Sequence, residues 1–299
     1  MKRFRYLLEY AAFRAGLFIL DRASTPTAEK LAIILADAWY MINSTRGKIA
    51  RDNIIRSGIT SSNIEADRIA RASFRHFAIL VVESLKSGNV FNETNWKEKV
   101  EIDIDPAAME VLQKPGKGII LVSGHFGNWE VAAQLISYIK PVAGITRDMN
   151  NPYTDRLMKE RKPRNRFRLT PKHDAGVGRL LSVLKNGEIL ALLIDQHARA
   201  RGMPINFFGT PASTHTSPAL LHLITKAPLC FGYCIRTAPM RYKLRAIPPI
   251  VYKPTGNRED DVRTILEKLT AELEKAIREH PEQYLWGHRR WRTKTTGTD

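Results

Sequence analysis

Cysteine is nearly absent from this 299-residue sequence, which contains only Cys230 and Cys234. In an extended strand four residues span roughly 13 Å, whereas the Cα atoms of a disulfide lie within about 7 Å. We therefore expect both cysteines to be reduced thiols in the core, as is usual for a domain in the cytosol. The sequence also lacks the ligand spacing of a zinc site, and it contains no Gly-x-Ser-x-Gly nucleophile motif.

Long apolar runs are missing as well. The longest stretch without Asp, Glu, Lys or Arg covers residues 202–225, where three prolines interrupt it. A mean hydropathy of −0.28 agrees with this pattern. Both features exclude a protein that crosses the membrane many times.

The N-terminus mixes basic and apolar residues without the pattern of a signal peptide. Glu9 and Arg14 interrupt the apolar positions of residues 1–20, and no small-residue cleavage site follows them. We predict an amphipathic helix over residues 1–25 that associates with membranes, followed by a single domain over residues 26–299. The apolar face of the helix either lies in a membrane surface or packs on that domain.

Acidic residues are few relative to basic ones. Lys and Arg number 47 against 30 Asp and Glu, which gives a net charge of +17. Such an excess favours an anionic partner, namely nucleic acid, anionic lipid or an acidic protein. The charge is concentrated in two clusters, Arg156, Lys159, Arg161, Lys162, Arg164, Arg166, Arg168 and Lys172, and then Arg289, Arg290, Arg292 and Lys294. No nucleic-acid-binding motif accompanies them, so charge alone does not select the partner.

Apolar periodicity predicts an α/β fold with a helical N-terminal extension. Helical spacing covers 27–41 and 64–90, and from residue 117 short β-rich runs alternate with helical segments. The pattern indicates one layered domain with a central mixed sheet flanked by helices. The predicted strands are 118–122, 142–146, 188–194, 229–235 and 242–247, and the later helices are 129–140, 152–161, 174–186, 213–226 and 260–280.

The segment Ser-Gly-His-Phe-Gly-Asn-Trp-Glu, residues 123–130, carries the clearest chemical signal. It follows a buried strand and precedes a helix, which is where open α/β sheets place their ligands. His125 in the loop and Glu130 in the first helical turn can form a pair in which the carboxylate orients the imidazole. The free ring nitrogen then acts as a base on a substrate hydroxyl. At this spacing alone, the more frequent interpretation is an ordinary turn histidine and a carboxylate that interacts with the dipole at a helix N-terminus.

This His-x4-Glu segment resembles the lysophospholipid acyltransferase superfamily, and more narrowly the late lipid A acyltransferases. The resemblance continues in the family's order through Thr146-Arg147, Asn150-Asn151-Pro152, Asp195-Gln196, the run over 207–212 and the segment Pro-Glu-Gln-Tyr-Leu-Trp-Gly-His-Arg-Arg over 281–290. It covers essentially the whole chain. It implies a glycerol-phosphate-acyltransferase-like fold and makes residues 26–299 the acyltransferase domain.

The resemblance also implies a reaction. A fatty acyl group would move from an acyl carrier protein thioester to a hydroxyl on a 3-hydroxyacyl chain of a Kdo-bearing lipid A precursor. His125 would be the general base, oriented by Glu130, with no metal and no cofactor required. Arg147, Arg161 and Asp195 would be the substrate-binding residues. The two arginines would be anion or oxyanion contacts, and Asp195 would either position the acceptor or hold the surroundings of His125. Residues 197–202 depart from the family's pattern after Asp-Gln, so acceptor recognition stays open.

The implied setting is the cytoplasmic face of a bacterial inner membrane, with the protein attached peripherally or through a single N-terminal anchor. Two alternatives remain at this stage. In the first, the chain is an acyltransferase whose acceptor is another lysophospholipid or glycolipid. In the second, it is a basic nucleic-acid-binding protein without catalysis. If the chain is a lipid A acyltransferase, as the resemblance implies, we expect no nucleic-acid partner.

Overall fold

Four helices form the N-terminal part of the chain. A computed structural model describes residues 2–161, 166–199 and 202–292. The helices are α1 Lys2–Arg22, α2 Thr25–Ile42, α3 Ser44–Arg56 and α4 Asn63–Val90. Ser24, Asn43 and Ser62 cap α2, α3 and α4, each accepting a hydrogen bond from a main-chain N–H of the first turn. Among the described residues, none of the helices is both long enough and apolar enough to span a membrane.

A seven-stranded mixed sheet lies at the centre of the domain. Its strands are β1 Val100–Ile104, β2 Ile119–Ser123, β3 Val142–Thr146, β4 Phe167–Pro171, β5 Ile189–Leu193, β8 Leu229–Ala238 and β9 Arg241–Ala246. Their order is β1-β9-β8-β2-β5-β3-β4, and only the β8–β9 pair is antiparallel. The carboxyl ends of β2, β5, β3 and β4 therefore meet at one edge.

Helices cover both faces of the sheet, and a small hairpin lies beside it. The helices are α5 Pro106–Gln113, α6 Trp129–Ser137, α7 Pro152–Arg161, α8 Val177–Lys185, α9 Ser217–Thr225 and α10 Arg258–Glu279, and the hairpin pairs β6 Met203–Phe207 with β7 Thr210–Thr214. Alternate side chains of β2 enter different cores. Ile120 packs in the cluster that contains Leu266 of α10, whereas Ile119 packs in the cluster that contains Leu135 of α6.

The predicted fold class is confirmed, and several boundaries are close. Strand β3 and helix α7 have the predicted limits, and the other predicted strands differ from the observed ones by at most three residues at either end. The helix predicted over 213–226 is wrong at its start, because 213 and 214 belong to β7 and α9 begins at Ser217. Lys162, Arg164 and Lys294 of the predicted basic clusters lie outside the described residues.

Three strand regions were absent from the prediction, namely β1, β4 and the β6–β7 hairpin. Strands β1 and β4 are the two edge strands of the sheet, and edge strands tolerate the charged side chains that hide them in a sequence. The two cysteines behave as expected. Both thiols are free and buried in β8, and burial raises the pKa of Cys230 to about 12.

Candidate active site

The loop between β2 and α6 carries His125. Asn128 ends the loop by capping α6, its side-chain oxygen accepting from the Val131 N–H at 3.1 Å. Gly127 has φ +60°, and a Cβ there would lie 2.0 Å from the Cys234 carbonyl oxygen. The sequence therefore needs glycine at this position to bring the loop against β8.

Asp195, which follows β5, holds the imidazole of His125 by two contacts. Its Oδ1 is 2.8 Å from Nδ1 of the ring, and its Oδ2 accepts from the His125 main-chain N–H at 2.9 Å. The side chain of Asp195 is 3 % exposed and that of His125 is 18 % exposed. Both residues lie just beyond the carboxyl ends of adjacent parallel strands, which explains why they meet.

The pair shifts the acidity of both groups. Burial by itself lowers the pKa of His125, but the charge and hydrogen bond of Asp195 outweigh it, so the pKa is raised. Burial by itself raises the pKa of Asp195, but the charge and hydrogen bonds of His125 hold that pKa below its usual value. Asp195 is therefore ionised at neutral pH, and His125 is a stronger base than a free imidazole.

The second ring nitrogen of His125 points away from the carboxylate. With Nδ1 donating its proton to Asp195, Nε2 accepts from the side-chain amide of Gln196 at 3.1 Å. The ring of Trp129 packs edge-on against the imidazole, with centroids 4.9 Å apart. A substrate hydroxyl that displaces the Gln196 amide would meet an unprotonated nitrogen.

Glu130 does not make the contact that the sequence predicts. Among the described residues, Glu130 makes no hydrogen bond with His125, and Nδ1 of the ring bonds Asp195 instead. Glu130 acts on His125 only through its charge, which contributes to the raised pKa of His125 after burial and the Asp195 contacts. The expected orientation of the ring by Glu130 is therefore corrected, since Asp195 provides it from β5.

The two predicted arginines differ in position. Arg147 is exposed directly after β3, at the same sheet edge as His125. Arg161 ends α7, and its guanidinium donates to the Asp21 carboxylate of α1 at 2.8 and 2.5 Å. Arg161 thus joins α7 to the N-terminal helix, and it can meet a substrate anion only if that ion pair opens.

The C-terminal segment, residues 281–292, contacts the loop that carries His125. In the sequence this segment contributed only to the family resemblance, and no contact with the site was predicted for it. The Leu285 N–H donates to the His125 carbonyl at 3.1 Å, and the Gly127 N–H donates to the Gln283 carbonyl at 2.9 Å. Tyr284 in the same segment interacts with Asp195. The one signal in the sequence was the dense aromatic and basic composition of this segment. Composition does not reveal that the segment contacts His125, which is distant in the sequence.

An apolar pocket of about 70 Å³ lies between α5, α6 and the sheet. Trp129 lines it and also contacts the His125 ring, so the indole lies between the pocket and the imidazole. The other apolar lining residues include Leu112, Leu121, Ile136, Cys230 and Leu244. Within the described parts of the chain, no group of three or more His, Cys, Asp or Glu side chains is arranged to hold a metal ion.

A buried histidine–carboxylate pair beside an apolar pocket, at the carboxyl edge of an α/β sheet, has the composition of an enzyme site for lipid-like substrates. Residues 1–293 match the family described as bacterial lipid A biosynthesis acyltransferase. The chain belongs to this family, and it is an acyltransferase of lipid A biosynthesis.

Individual relatives agree with that assignment. The chain is 25 % identical over 261 residues to the lipid A biosynthesis palmitoleoyltransferase of Escherichia coli K12, covering 84 % of this chain and 80 % of that protein. It is 29 % identical over 191 residues to the lauroyltransferase of the same organism, covering 62 % and 60 %. The crystal structure of a Thermotoga maritima 1-acyl-sn-glycerophosphate acyltransferase aligns with a TM-score of 0.36 and 14 % identity, over 82 % of this chain and 97 % of that one.

Proposed function

We propose that this chain transfers a fatty acyl group from an acyl carrier protein thioester to a hydroxyl on a 3-hydroxyacyl chain of a Kdo-bearing lipid A precursor. The observation that carries the proposal is the His125 ring, fixed by Asp195 through Nδ1 and leaving Nε2 available beside an apolar pocket. Membership of the lipid A acyltransferase family supports the substrate class.

The proposed reaction uses the substrate's own hydroxyl as nucleophile. Nε2 of His125 takes the hydroxyl proton while the oxygen attacks the thioester carbonyl carbon. The tetrahedral intermediate then breaks its carbon–sulfur bond, and the leaving thiolate receives the proton from the imidazolium. Asp195 stabilises the imidazolium in between, with the more distant charge of Glu130 adding to the effect.

The charge distribution around the site supports anionic substrates. Arg147 is exposed at the sheet edge that carries His125, and we propose it as an anion or oxyanion contact. Other cations lie on the same side, since Lys172 interacts with His215, and Arg199 and Arg292 interact with His197. These groups are suited to phosphate and carboxylate groups of the acceptor or to the acidic carrier protein.

The acyl chain is assigned to the apolar pocket beside Trp129. Its lining is almost entirely hydrocarbon, and burying an apolar chain there stabilises the complex by about 0.8 kcal/mol per methylene. At 70 Å³ the pocket is short, so α5 and α6 must separate from the sheet to admit a long chain.

Helices α1 and α2 support action at a membrane surface. Leu17 is the only buried residue that α1 contributes, whereas Phe4 is 68 % and Phe18 is 56 % exposed. On α2, Leu35 is 69 % and Ile42 is 78 % exposed. Exposed apolar residues on two adjoining helices, with basic residues on α1, are typical of peripheral binding to anionic lipid. We therefore propose attachment to the cytoplasmic face of the inner membrane.

Substitution of His125 by Ala tests the proposal. Transfer from acyl-carrier-protein thioester to a purified lipid A precursor should fall by about 10²–10⁴-fold, with the fold retained. His280→Ala is the matched control, because the His280 side chain at the end of α10 is 41 % exposed and its side-chain contact among the described residues is a 3.8 Å approach to Glu282. Unchanged transfer by the His125 variant would reject the base assignment.

Mass spectrometry of lipid A from cells with and without the protein tests the substrate. A difference of one acyl chain supports the proposal and reports the chain length. Unaltered lipid A, together with a change in another lysophospholipid or glycolipid, would move the acceptor to that lipid.

A further inference from the structure

The side-chain amide of Gln196 occupies the base nitrogen of His125. Its nitrogen lies 3.1 Å from Nε2 of the ring. Because Nδ1 of the same ring bonds the Asp195 carboxylate at 2.8 Å, Nε2 carries the lone pair and the amide is the donor. This is the only hydrogen bond of the Gln196 side chain among the described residues. The amide therefore has a free donor as soon as a substrate hydroxyl replaces it at Nε2.

The main chain on either side of Gln196 is fixed. Asp195 is 4 % exposed and bonds His125 through both carboxylate oxygens. The His197 N–H donates to Nε2 of His288 at 3.1 Å. Gln196 itself is only half-buried, so its side chain can turn between staggered conformations while its main chain stays in place.

A substrate in position to react brings its carbonyl oxygen within reach of the displaced amide. The hydroxyl oxygen has to lie about 2.6–3.2 Å from Nε2 of His125, which is where the amide nitrogen lies now. The thioester carbon then lies about 3–3.5 Å from the hydroxyl oxygen, and the carbonyl oxygen about 1.2 Å from that carbon. An oxyanion donor has to approach to about 2.7–3.1 Å, and a rotation of the Gln196 side chain is sufficient for this.

Three main-chain N–H groups of the loop between β2 and α6 are already engaged. They donate to acceptors 2.8–2.9 Å away, namely His125 to Asp195, Gly127 to Gln283 and Asn128 to Cys234. Each would have to give up its bond before it could donate to an oxyanion, whereas a preorganised donor needs no such step. The Gln196 amide loses its acceptor through substrate binding itself, so it is the donor that the reaction sets free.

We propose that Gln196 is a catalytic residue whose amide leaves Nε2 of His125 when the substrate hydroxyl binds and then donates to the oxyanion of the tetrahedral intermediate. The inference rests on the proposed function, in which Nε2 is the base. As the hydroxyl proton passes to Nε2, the oxygen–carbon bond forms, and the carbonyl π electrons move onto the oxygen that the amide meets. When those electrons return, the carbon–sulfur bond breaks, and the leaving thiolate takes the proton from Nε2.

Arg147 follows a more distant strand than Gln196 does. It comes directly after β3, which β5 separates from β2 in the sheet, and neighbouring strands lie about 4.8 Å apart. Arg147 is therefore suited to a charged group of the substrate farther from the thioester. Gln196 follows β5, the neighbour of β2, and its amide contacts the base directly.

Gln196→Met tests this role, because methionine has nearly the same shape as glutamine but no donor. Removing an interaction that is made only in the transition state lowers kcat and kcat/KM by the same factor and leaves KM unchanged. We expect both to fall by about 10²–10³-fold in transfer from an acyl-carrier-protein thioester to a purified lipid A precursor. Gln113→Met is the matched control, since Gln113 is exposed at the end of α5, and it should leave kcat and KM unchanged.

Other roles for Gln196 predict different kinetic results. If the amide only covers the base in the free enzyme, its removal leaves kcat/KM unchanged or raises it. If the amide only binds substrate, its removal raises KM and leaves kcat unchanged. Either of these results would overturn the inference.

Nitrogen NMR on the purified full chain checks the contact between Gln196 and the base without any substrate. The Nε2 resonance of His125 should have the position of an unprotonated nitrogen that accepts a hydrogen bond. It should move in Gln196→Met and stay in place in Gln113→Met. An unmoved resonance in folded Gln196→Met rejects the role of Gln196 alone, whereas retained transfer by His125→Ala rejects the proposed function.

Discussion

The main-chain carbonyl of His125 accepts a hydrogen bond at 3.1 Å from the main-chain N–H of Leu285. Two residues further on, Gly127 donates to Gln283, and its own carbonyl accepts from the His76 ring of α4 at 3.1 Å. Burial lowers the pKa of His76, so its ring is neutral. The loop that carries His125 is therefore held between the C-terminal segment and α4, and these contacts restrict the position of the imidazole.

Replacement of Gly127 by Ala should destabilise the fold by at least about 2 kcal/mol. The added Cβ would meet the Cys234 carbonyl oxygen at 2.0 Å in a left-handed backbone conformation. Gly178→Ala in α8 is the control, since its Cβ meets nothing within 4 Å, and it should stabilise by about 0.4–1 kcal/mol. Urea denaturation measures both. Equal stabilities of the two variants would contradict the close approach of loop and strand.

Asp195→Asn should reduce kcat more than Glu130→Gln does. The asparagine removes the charge that contacts Nδ1 at 2.8 Å, and we expect a loss of about 10²–10⁴-fold. Glu130 acts from farther away through charge, so its amide variant should lose less. Single-turnover transfer assays on both variants provide the comparison. A larger loss in Glu130→Gln would restore Glu130 as the residue that orients the ring.

Activity should depend on pH through His125. Transfer requires the neutral ring, and the pKa of His125 lies above the ordinary 6.5 despite burial because Asp195 raises it. The kcat/KM value should therefore fall as the pH drops through that raised pKa. In Asp195→Asn the charge that raises the pKa is gone while burial still lowers it, so the limb should move to lower pH. A limb that moves upward would contradict this assignment of causes.

The combined substitution Ile34→Ser, Leu35→Ser and Ile42→Ser should weaken binding to anionic vesicles at least tenfold. These α2 side chains are 63 %, 69 % and 78 % exposed. If a side chain of this kind is buried in lipid, it contributes about 1.5–3 kcal/mol to the free energy of binding, which the serine variant loses. Ile224→Ser with Val251→Ser is the control, with exposures of 61 % and 87 % on other surfaces. Vesicle sedimentation measures binding, and an equal loss in the control would show that α2 does not contact the membrane.

Deletion of residues 1–21 should also weaken binding to anionic vesicles. The loss should be larger at low salt, because α1 is basic and salt screens its attraction to anionic lipid.

Ala132→Leu should shift acyl selectivity toward shorter chains. Ala132 lies on α6 and lines the apolar pocket, so a larger side chain reduces the space for the acyl tail. Ala271→Leu, on the exposed face of α10, is the control. Competition between thioesters of different length, read by mass spectrometry, gives the preference. Unaltered selectivity with altered rate would place the acyl chain elsewhere.

Local sequence patterns determined much of this protein. Alternating β-rich and helical runs specify the α/β class, because a strand with apolar residues on both faces must be covered by helices on both sides. The limits of β3 and α7 were predicted from the sequence. The sequence also indicates that the loop at 123–130 is a candidate site. A buried strand is followed there by two glycines and a capped helix, and side chains in such a loop lie at the carboxyl edge of the sheet.

The tertiary structure alone decided which carboxylate serves His125. Glu130 is close in sequence but lies in the first turn of helix α6, whereas the parallel pairing of β2 with β5 brings Asp195 to the same sheet edge as His125. The sequence likewise could not reveal that Arg161 is paired with Asp21. Short-range patterns report periodicity and capping, but contacts between distant residues depend on strand order and on where the chain returns, and no local spacing encodes them.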